Sequence, residues 1–437
     1  MKIKTKAVAV LLMALMISSI ITGCTPKESA DLFDSFRKSS EMNSFNSDTN
    51  MKISVDFDFN TSSVDQDTQT IINMYKGMLQ NIELNLDQKF MKDGDDKYFT
   101  ETYLSYNLGG LGFNLNMWQN YDLSEDSFKA TQIIEIPQLF RPIIGELSPD
   151  MNSAQYLVYD LSDYKELMEQ EDINLDFNQI VKLGKQLGVD LQEAFLTSLN
   201  EFEKSNEDEE KVISYIGEEI VDGQKFDIFE INFNDKSFKD FLTSAGNYIL
   251  EREETKHLIE EYLNLIGELI YNMDTNSISE DEVEQNIQDM LEELDMEQVK
   301  EKFNEFMNAF KDVPLIGENG IALTYRVNED GYLTEYGGTI DLVFDIQQIN
   351  DLFADLYPEE FTSYYYEEEI PVIYLSINFD SIISDINEVE DIVFPEVTEE
   401  NSINFIQLML EQAQYGYYDS YKIYEQPVED NPVEETP

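Results

Sequence analysis

The sequence predicts an α+β protein, an antiparallel sheet with helices on one face, and three observations carry that reading. Apolar and polar residues alternate with a period of two near both ends of the chain, as half-buried strands require. Between them, over residues 177–312, apolar positions recur mostly every three or four residues, the spacing of helices that face a core. Asp93-Gly94, Asp222-Gly223 and Asp330-Gly331 mark tight turns between strand-like runs. Strands on both sides of a helical middle are most simply united in one sheet completed by both ends of the chain.

Residues 1–23 stand outside that fold. Lys2, Lys4 and Lys6 precede an apolar run, Ala7 to Ile21, broken only by Ser18 and Ser19. The run is too short and too well punctuated for a spanning helix and reads as an export signal. The segment Ile21-Thr22-Gly23-Cys24 resembles a bacterial lipobox. In proteins with that motif the cysteine sulfur receives a diacylglycerol, and cleavage between the positions of Gly23 and Cys24 leaves the cysteine first. Cys24 is the only cysteine, so an internal disulfide is impossible. A free reactive thiol and an unmodified buried cysteine are the alternatives; its position favours lipidation, with no other modification or metal role. Residues 24–27 then form the lipidated cysteine and a short tether. A tether of three to five residues spans on the order of 10–18 Å, which predicts a body held against the outer leaflet of the cell membrane, on its extracytoplasmic side.

Residues 28–410 read as one folded domain. Glu28 to about Met42 places Leu32, Phe33 and Phe36 on one side of a short helix. Met51, Ile53, Val55, Phe57 and Phe59 then alternate with polar residues, a strand from Met51 to Asn60. Further strands read at Ile82-Leu86 and Leu111-Met117, with Asp93-Gly94 turning Phe90 towards Tyr98. Phe177, Ile180, Leu183, Leu187, Leu191, Phe195, Leu199 and Phe202 predict two helices divided near Gly188. A hairpin follows, Ile213-Tyr215 with Phe226 to Phe233, and then a helical insertion over 236–312, with three helices. One carries Leu258, Tyr262, Leu265, Ile266 and Leu269; another opens at Ser279 with Glu282 as a capping box. Strands return as Tyr325-Val327, as Ile340, Leu342, Phe344 and Ile346, and as Ile373, Leu375, Ile377 and Phe379. Residues 411–437, Pro- and Glu-rich towards the end, are expected to be a disordered acidic tail.

The full chain carries 28 basic and 90 acidic residues, a formal charge of −62, and loss of the three signal lysines makes it −65. Nucleic-acid and polybasic membrane binding both need lysine and arginine to neutralise phosphate, so neither is expected. The acids are interleaved with apolar residues, the pattern of a solvated surface.

No reaction is legible. His257, the only histidine, stands among Glu253, Glu254, Glu260 and Glu261 on a helix, without the partners of a triad or zinc helix. Asp274 to Ser279 begins like a calcium loop but fails at Ile278, Ser279 and Gln285. Ser35-Phe36-Arg37-Lys38 has an acyl-transferase spacing without the accompanying motifs. Trp118 reads as a core anchor rather than a stacking platform, and Tyr364-Tyr365-Tyr366 as an exposed loop. No catalytic residue, metal or cofactor is expected, and the chain is read as a non-enzyme.

The layout resembles a group of Gram-positive lipoproteins related to the lipoprotein-carrier superfamily (LolA/LolB-like and LppX-like). The likeness rests on the helix after Cys24 with the strand Met51–Asn60, on Met117-Trp118-Gln119-Asn120-Tyr121-Asp122-Leu123, and on Val221-Asp222-Gly223-Gln224-Lys225-Phe226. It continues in Asp330-Gly331-Tyr332 and in Asn387 to Pro395. The resemblance implies a curved antiparallel half-barrel with helices packed on its concave face around an apolar cavity. It further implies a membrane-anchored, non-catalytic binding protein for a lipid-like or other apolar ligand, or an envelope component. A surface structural or interaction lipoprotein that uses its acidic face, with no small ligand, is the alternative.

Overall fold

The computed structural model describes residues 27–58, 66–94, 96–124, 129–142, 154–160, 193–205, 211–252, 295–356 and 371–406, with isolated helical positions between 184 and 285. In chain order the first elements are α1 (Lys27–Ser40), β1 (Ser44–Asp58), α2 (Gln66–Leu79), β2 (Ile82–Asp93), β3 (Lys97–Leu108) and β4 (Leu111–Asp122). There follow β5 (Lys129–Glu135), β6 (Tyr156–Asp160), α3 (193–205), β7 (Ile213–Val221), β8 (Gln224–Phe233) and α4 (Asp235–Leu250). The remainder comprises α5 (Met296–Phe310), β9 (Ile316–Asn328), β10 (Leu333–Asp345), α6 (Ile346–Leu356), β11 (Val372–Ser384) and β12 (Ser402–Asn404).

The strands make one twelve-stranded sheet in the order β12-β6-β5-β4-β3-β2-β1-β11-β10-β9-β8-β7. Both ends of the chain complete it, because β1 pairs with β11 over thirteen residues, Asn46–Asp58 against Val372–Ser384. The pairing is antiparallel throughout except between β12 and β6, which run parallel. Turn chemistry closes the hairpins: Asp222 and Gly223 both take positive φ, 52° and 85°, and Gly331 takes 78°.

The sheet corrects the expectation of a curved half-barrel with helices on its concave face. It is open, with β12 and β7 as its edges among the described residues, and not strongly curled. The physical reason lies in the registers. Alternation decides which face a side chain takes, whereas curvature needs bulges and stagger. From β11 through β1 and β2 to β4 the pairing runs without interruption. Among the described residues, irregularities occur only near β7 at Tyr215/Gly217 and between β9 and β10. Two smaller expectations also change. Ile346 opens α6 instead of closing a strand, and Trp118 lies inside β4, which runs on to Asp122.

Helices α1, α3, α4, α5 and α6 cover the β7–β10 part of one face. Phe241 of α4 is the centre of this core, with ring centroids 5.4–5.7 Å from Phe195, Phe202 and Phe233. Each such buried side chain contributes about 1.5–3 kcal/mol. α1 adds Leu32, Phe33 and Phe36, the stripe its sequence predicts. α4 starts where the Asn234 side chain accepts the Ser237 amide at 2.9 Å and the Ser237 hydroxyl accepts the Asn234 amide at 3.0 Å, a reciprocal cap. A second, small core of Ile136, Ala154 and Ile403 forms at the β5, β6 and β12 end.

Candidate functional site: an apolar trough between two cores

Register places Met51 of β1 beside Leu84 and Phe379, Leu84 beside Tyr106, and Tyr106 beside Phe113. Every second residue of β11, β1, β2, β3 and β4 therefore shares one face with those five. That face holds Leu375, Ile377, Ile53, Val55, Leu86, Leu104, Leu108 and Leu115. From the row Phe45-Phe90-Thr100-Gln119 to the row Ile53-Ile82-Leu108-Leu111, no position on it is Asp, Glu, Lys or Arg. In a chain that is 27% charged, this is a five-strand width, about 19 Å, of uncharged surface.

The apolar residues of this face are only half-buried, apart from Leu111, which is exposed. Among the described residues of these five strands, the fully buried side chains are Ser44, Thr100, Thr102 and Ser381, all polar. By contrast β7, β8 and β9 bury Ile213, Phe229, Ile231, Phe233, Ile321, Leu323, Tyr325 and Val327. The surface is thus a trough between two packed ends. On one side Phe379 meets Tyr336 at 6.2 Å, leading into the larger core; on the other Phe113 meets Phe140 edge-on at 5.5 Å.

The trough is polar at one end. Thr49 Oγ1 and Ser381 Oγ lie 2.8 Å apart, and the Thr100 hydroxyl donates to Gln119 Oε1 at 2.9 Å. Burial raises the Tyr121 phenol above its ordinary range, so it stays a neutral donor. At the other end β1 overhangs β2, and α2 packs beside the overhang. There Lys76 Nζ lies 2.6 Å from Asp56 and donates to the Phe57 carbonyl at 3.2 Å. Ile71, Met74 and Tyr75 of α2 stay exposed.

A separate cleft of about 430 Å³ lies between α1 and the start of β8, over Phe229 and Val327. Asp31, Asp34, Asp227 and Glu329 face it, and both its lysines are engaged: Lys38 with the Asp330 carbonyl, Lys225 with Glu218 at 2.5 Å.

The residues singled out in the sequence are not brought together. Trp118 stands on the opposite face of β4 from the trough, half-buried and edge-on to Tyr156 at 6.3 Å. His257 is exposed, with Nε2 3.3 Å from Glu261 Oε1, and joins no other site residue. The Ser35 hydroxyl donates to the Asp31 carbonyl at 2.6 Å, one turn back along α1. Gly23, Cys24, Asp274 to Ser279, Tyr364 to Tyr366 and the tail lie outside the described residues. Among the described residues no three His, Cys, Asp or Glu side chains are grouped to hold a metal, and no helix is long and apolar enough to cross a membrane. Sequence reasoning missed Glu203, which is fully buried with Oε2 unpartnered; an acid at a core position of a helical pattern was the signal. No family model matches the chain, and no curated protein is significantly similar to it.

Proposed function

We propose that the protein is a lipid-anchored extracytoplasmic binding protein that takes a lipid-like or other apolar ligand on the face formed by β11, β1, β2, β3 and β4. The carrying observation is the uncharged face whose apolar side chains stay half-buried while the neighbouring strands bury theirs. Apolar surface of this extent is ordinarily covered, by core or by ligand. The uneven polarity of the trough suits an amphipathic ligand. Acyl carbons would lie along Ile53, Leu84, Leu108 and Leu375, and an oxygen-bearing head would meet Thr49, Ser381, Thr100 and Gln119. Anchoring rests on the lipobox-like Ile21-Thr22-Gly23-Cys24 and on α1 beginning three residues after Cys24.

Lipid extraction and native mass spectrometry of the purified full chain test this reading, together with titration by a fluorescent fatty acid. Bound lipid and saturable probe binding are expected. Leu84→Glu places a charge on the uncharged face and should weaken the probe about tenfold or more, since about 1.4 kcal/mol suffices. A chain free of lipid that binds no probe would remove the proposal. Salt-sensitive capture of a basic partner by such a lipid-free chain would instead favour an interaction protein that uses the surplus of 90 acids over 28 bases.

A further inference from the structure

Near the end of α3 the chain closes a carboxyl group into its larger apolar core. Glu203 has no exposed surface, and Leu199, Phe202, Val212 and Ile213, on either side of it in the chain, are buried members of that core. Its Oε1 accepts the Val212 amide at 2.7 Å, and the Ile213 amide also points at the carboxyl. Its Oε2 is buried with no partner. A neutral acid tolerates such a site, whereas a carboxylate would lose its hydration with too few donors to replace it.

The surrounding charges do not supply the missing partner. Lys211, leading into β7, favours the ionised form, but burial outweighs it. On α3, Lys204 pairs with Glu201 at 3.0 Å and Glu193 with Arg37 of α1 at 3.0 Å. On α4, Lys239 pairs with Asp235 at 2.6 Å, and on α5 Lys300 pairs with Glu251 at 2.5 Å. Glu230 of β8 is level with Ser214, on the face of the sheet opposite the buried pair Ile213 and Ile231.

The bond to Val212 is also a joint between two elements. It ties α3, whose Phe202 stands edge-on to Phe241 of α4 at 5.7 Å, to the start of β7. Among the described strands β7 is paired on one side only, with β8. A joint at the margin of a sheet opens by breaking fewer pairings than one at its centre.

We propose that Glu203 is a proton-operated latch: its protonated carboxyl holds the end of α3 against the start of β7, and loss of the proton releases that joint while β1 and β11 stay paired. Burial holds the carboxyl up to about 7 in the closed joint, and water in the open joint returns it towards 4.5. The latch is therefore shut in acid and loosens as pH rises through about 7.

Hydrogen exchange read by mass spectrometry on the full chain tests this, comparing wild type with Glu203→Gln at about pH 5.5 and about pH 8. Glutamine keeps an acceptor for Val212 and cannot titrate, and comparison at equal pH cancels the intrinsic pH dependence of exchange. In peptides carrying Val212 and Ile213, the wild-type rate relative to the variant should grow about tenfold or more from the lower pH to the higher. Wild-type protection there, corrected for intrinsic exchange, should fall by a similar factor whatever the variant does. At the higher pH, sub-denaturing urea should leave wild-type exchange at Val212 and Ile213 unchanged while it speeds exchange in β1 and β11, because a local opening exposes little surface. Protection at Val212 and Ile213 that does not change with pH overturns the proposal. Exchange there that accelerates with urea as steeply as in β11 also overturns it, since Glu203 would then act on the whole fold and not on this joint.

Discussion

Glu203 sits without exposed surface between α3 and the start of β7, where its Oε1 accepts the Val212 amide at 2.7 Å and its Oε2 has no partner. Burial pushes its carboxyl up to about 7 from an ordinary 4.5, against the opposing pull of the Val212 amide and Lys211. At pH values below 4.5 the group is neutral whether the chain is folded or not. Between the two values the unfolded chain has released a proton that the folded chain keeps, so stability falls as pH rises. Above about 7 the full cost, about 3 kcal/mol, is in place. Glu203→Gln keeps an acceptor for Val212 and removes the titration. Urea unfolding should show the variant gaining on the wild type as pH rises through this window, by up to about 3 kcal/mol near pH 8. A difference that does not change with pH would refute this account. Asp235 has the opposite slope. Burial alone would raise it, but Lys239 at 2.6 Å and the Ile316 and Leu315 amides hold it below the usual carboxylate range. Its contribution is present at neutral pH and lost on acidification.

Helices in this molecule differ in how much they depend on packing, and two glycines separate the cases. Gly246 of α4 lies against α5 so closely that an added Cβ would clash with the Phe303 ring. Gly77 of α2 has no atom within 4 Å of an added Cβ. Gly246→Ala should therefore destabilise by about 1–3 kcal/mol through overpacking. Gly77→Ala should stabilise by about 0.5–1 kcal/mol through helix propensity alone. Thermal melts of the two variants check this, and a shift of the same sign in both would contradict it. The same contrast explains which elements the sequence made legible. α1 and the strands β1, β2, β4 and β7–β11 bury or half-bury one side, so their apolar periods stand out. α2 buries no side chain, and its pattern carries no such constraint. β12 is three residues and β6 five, all half-buried in β6, too short or too even to show alternation. α6 was hidden because Ile340, Leu342, Phe344 and Ile346 alternate up to its first residue, and its own spacing, Ile349, Leu352, Phe353 and Leu356, begins only afterwards.

At the scale of the whole molecule, alternation foretold the uncharged face but not that the sheet stays open, because that openness lies in unbroken registers that no single strand encodes. The trough was likewise legible only in part: its residues alternate visibly, yet no single strand encodes that the described helices α1 and α3–α6 gather over β7–β10 while the apolar side chains of β11 to β4 stay half-buried. Charge acts at this scale as well. With 90 acids against 28 bases, the folded chain concentrates like charge that the expanded chain spreads out. Local pairs such as Lys89–Glu101 at 2.9 Å relieve little of it. The Debye length shrinks from about 30 Å at 0.01 M salt to about 8 Å at 0.15 M, so the repulsion is long-ranged only in dilute buffer. The melting temperature should therefore climb between about 10 and 150 mM salt and change little beyond. Screening is indifferent to the identity of the cation, so sodium chloride and tetramethylammonium chloride at equal ionic strength should give the same curve. A rise with sodium or calcium that tetramethylammonium fails to reproduce would mean that bound cations, and not diffuse screening, hold this acidic fold together.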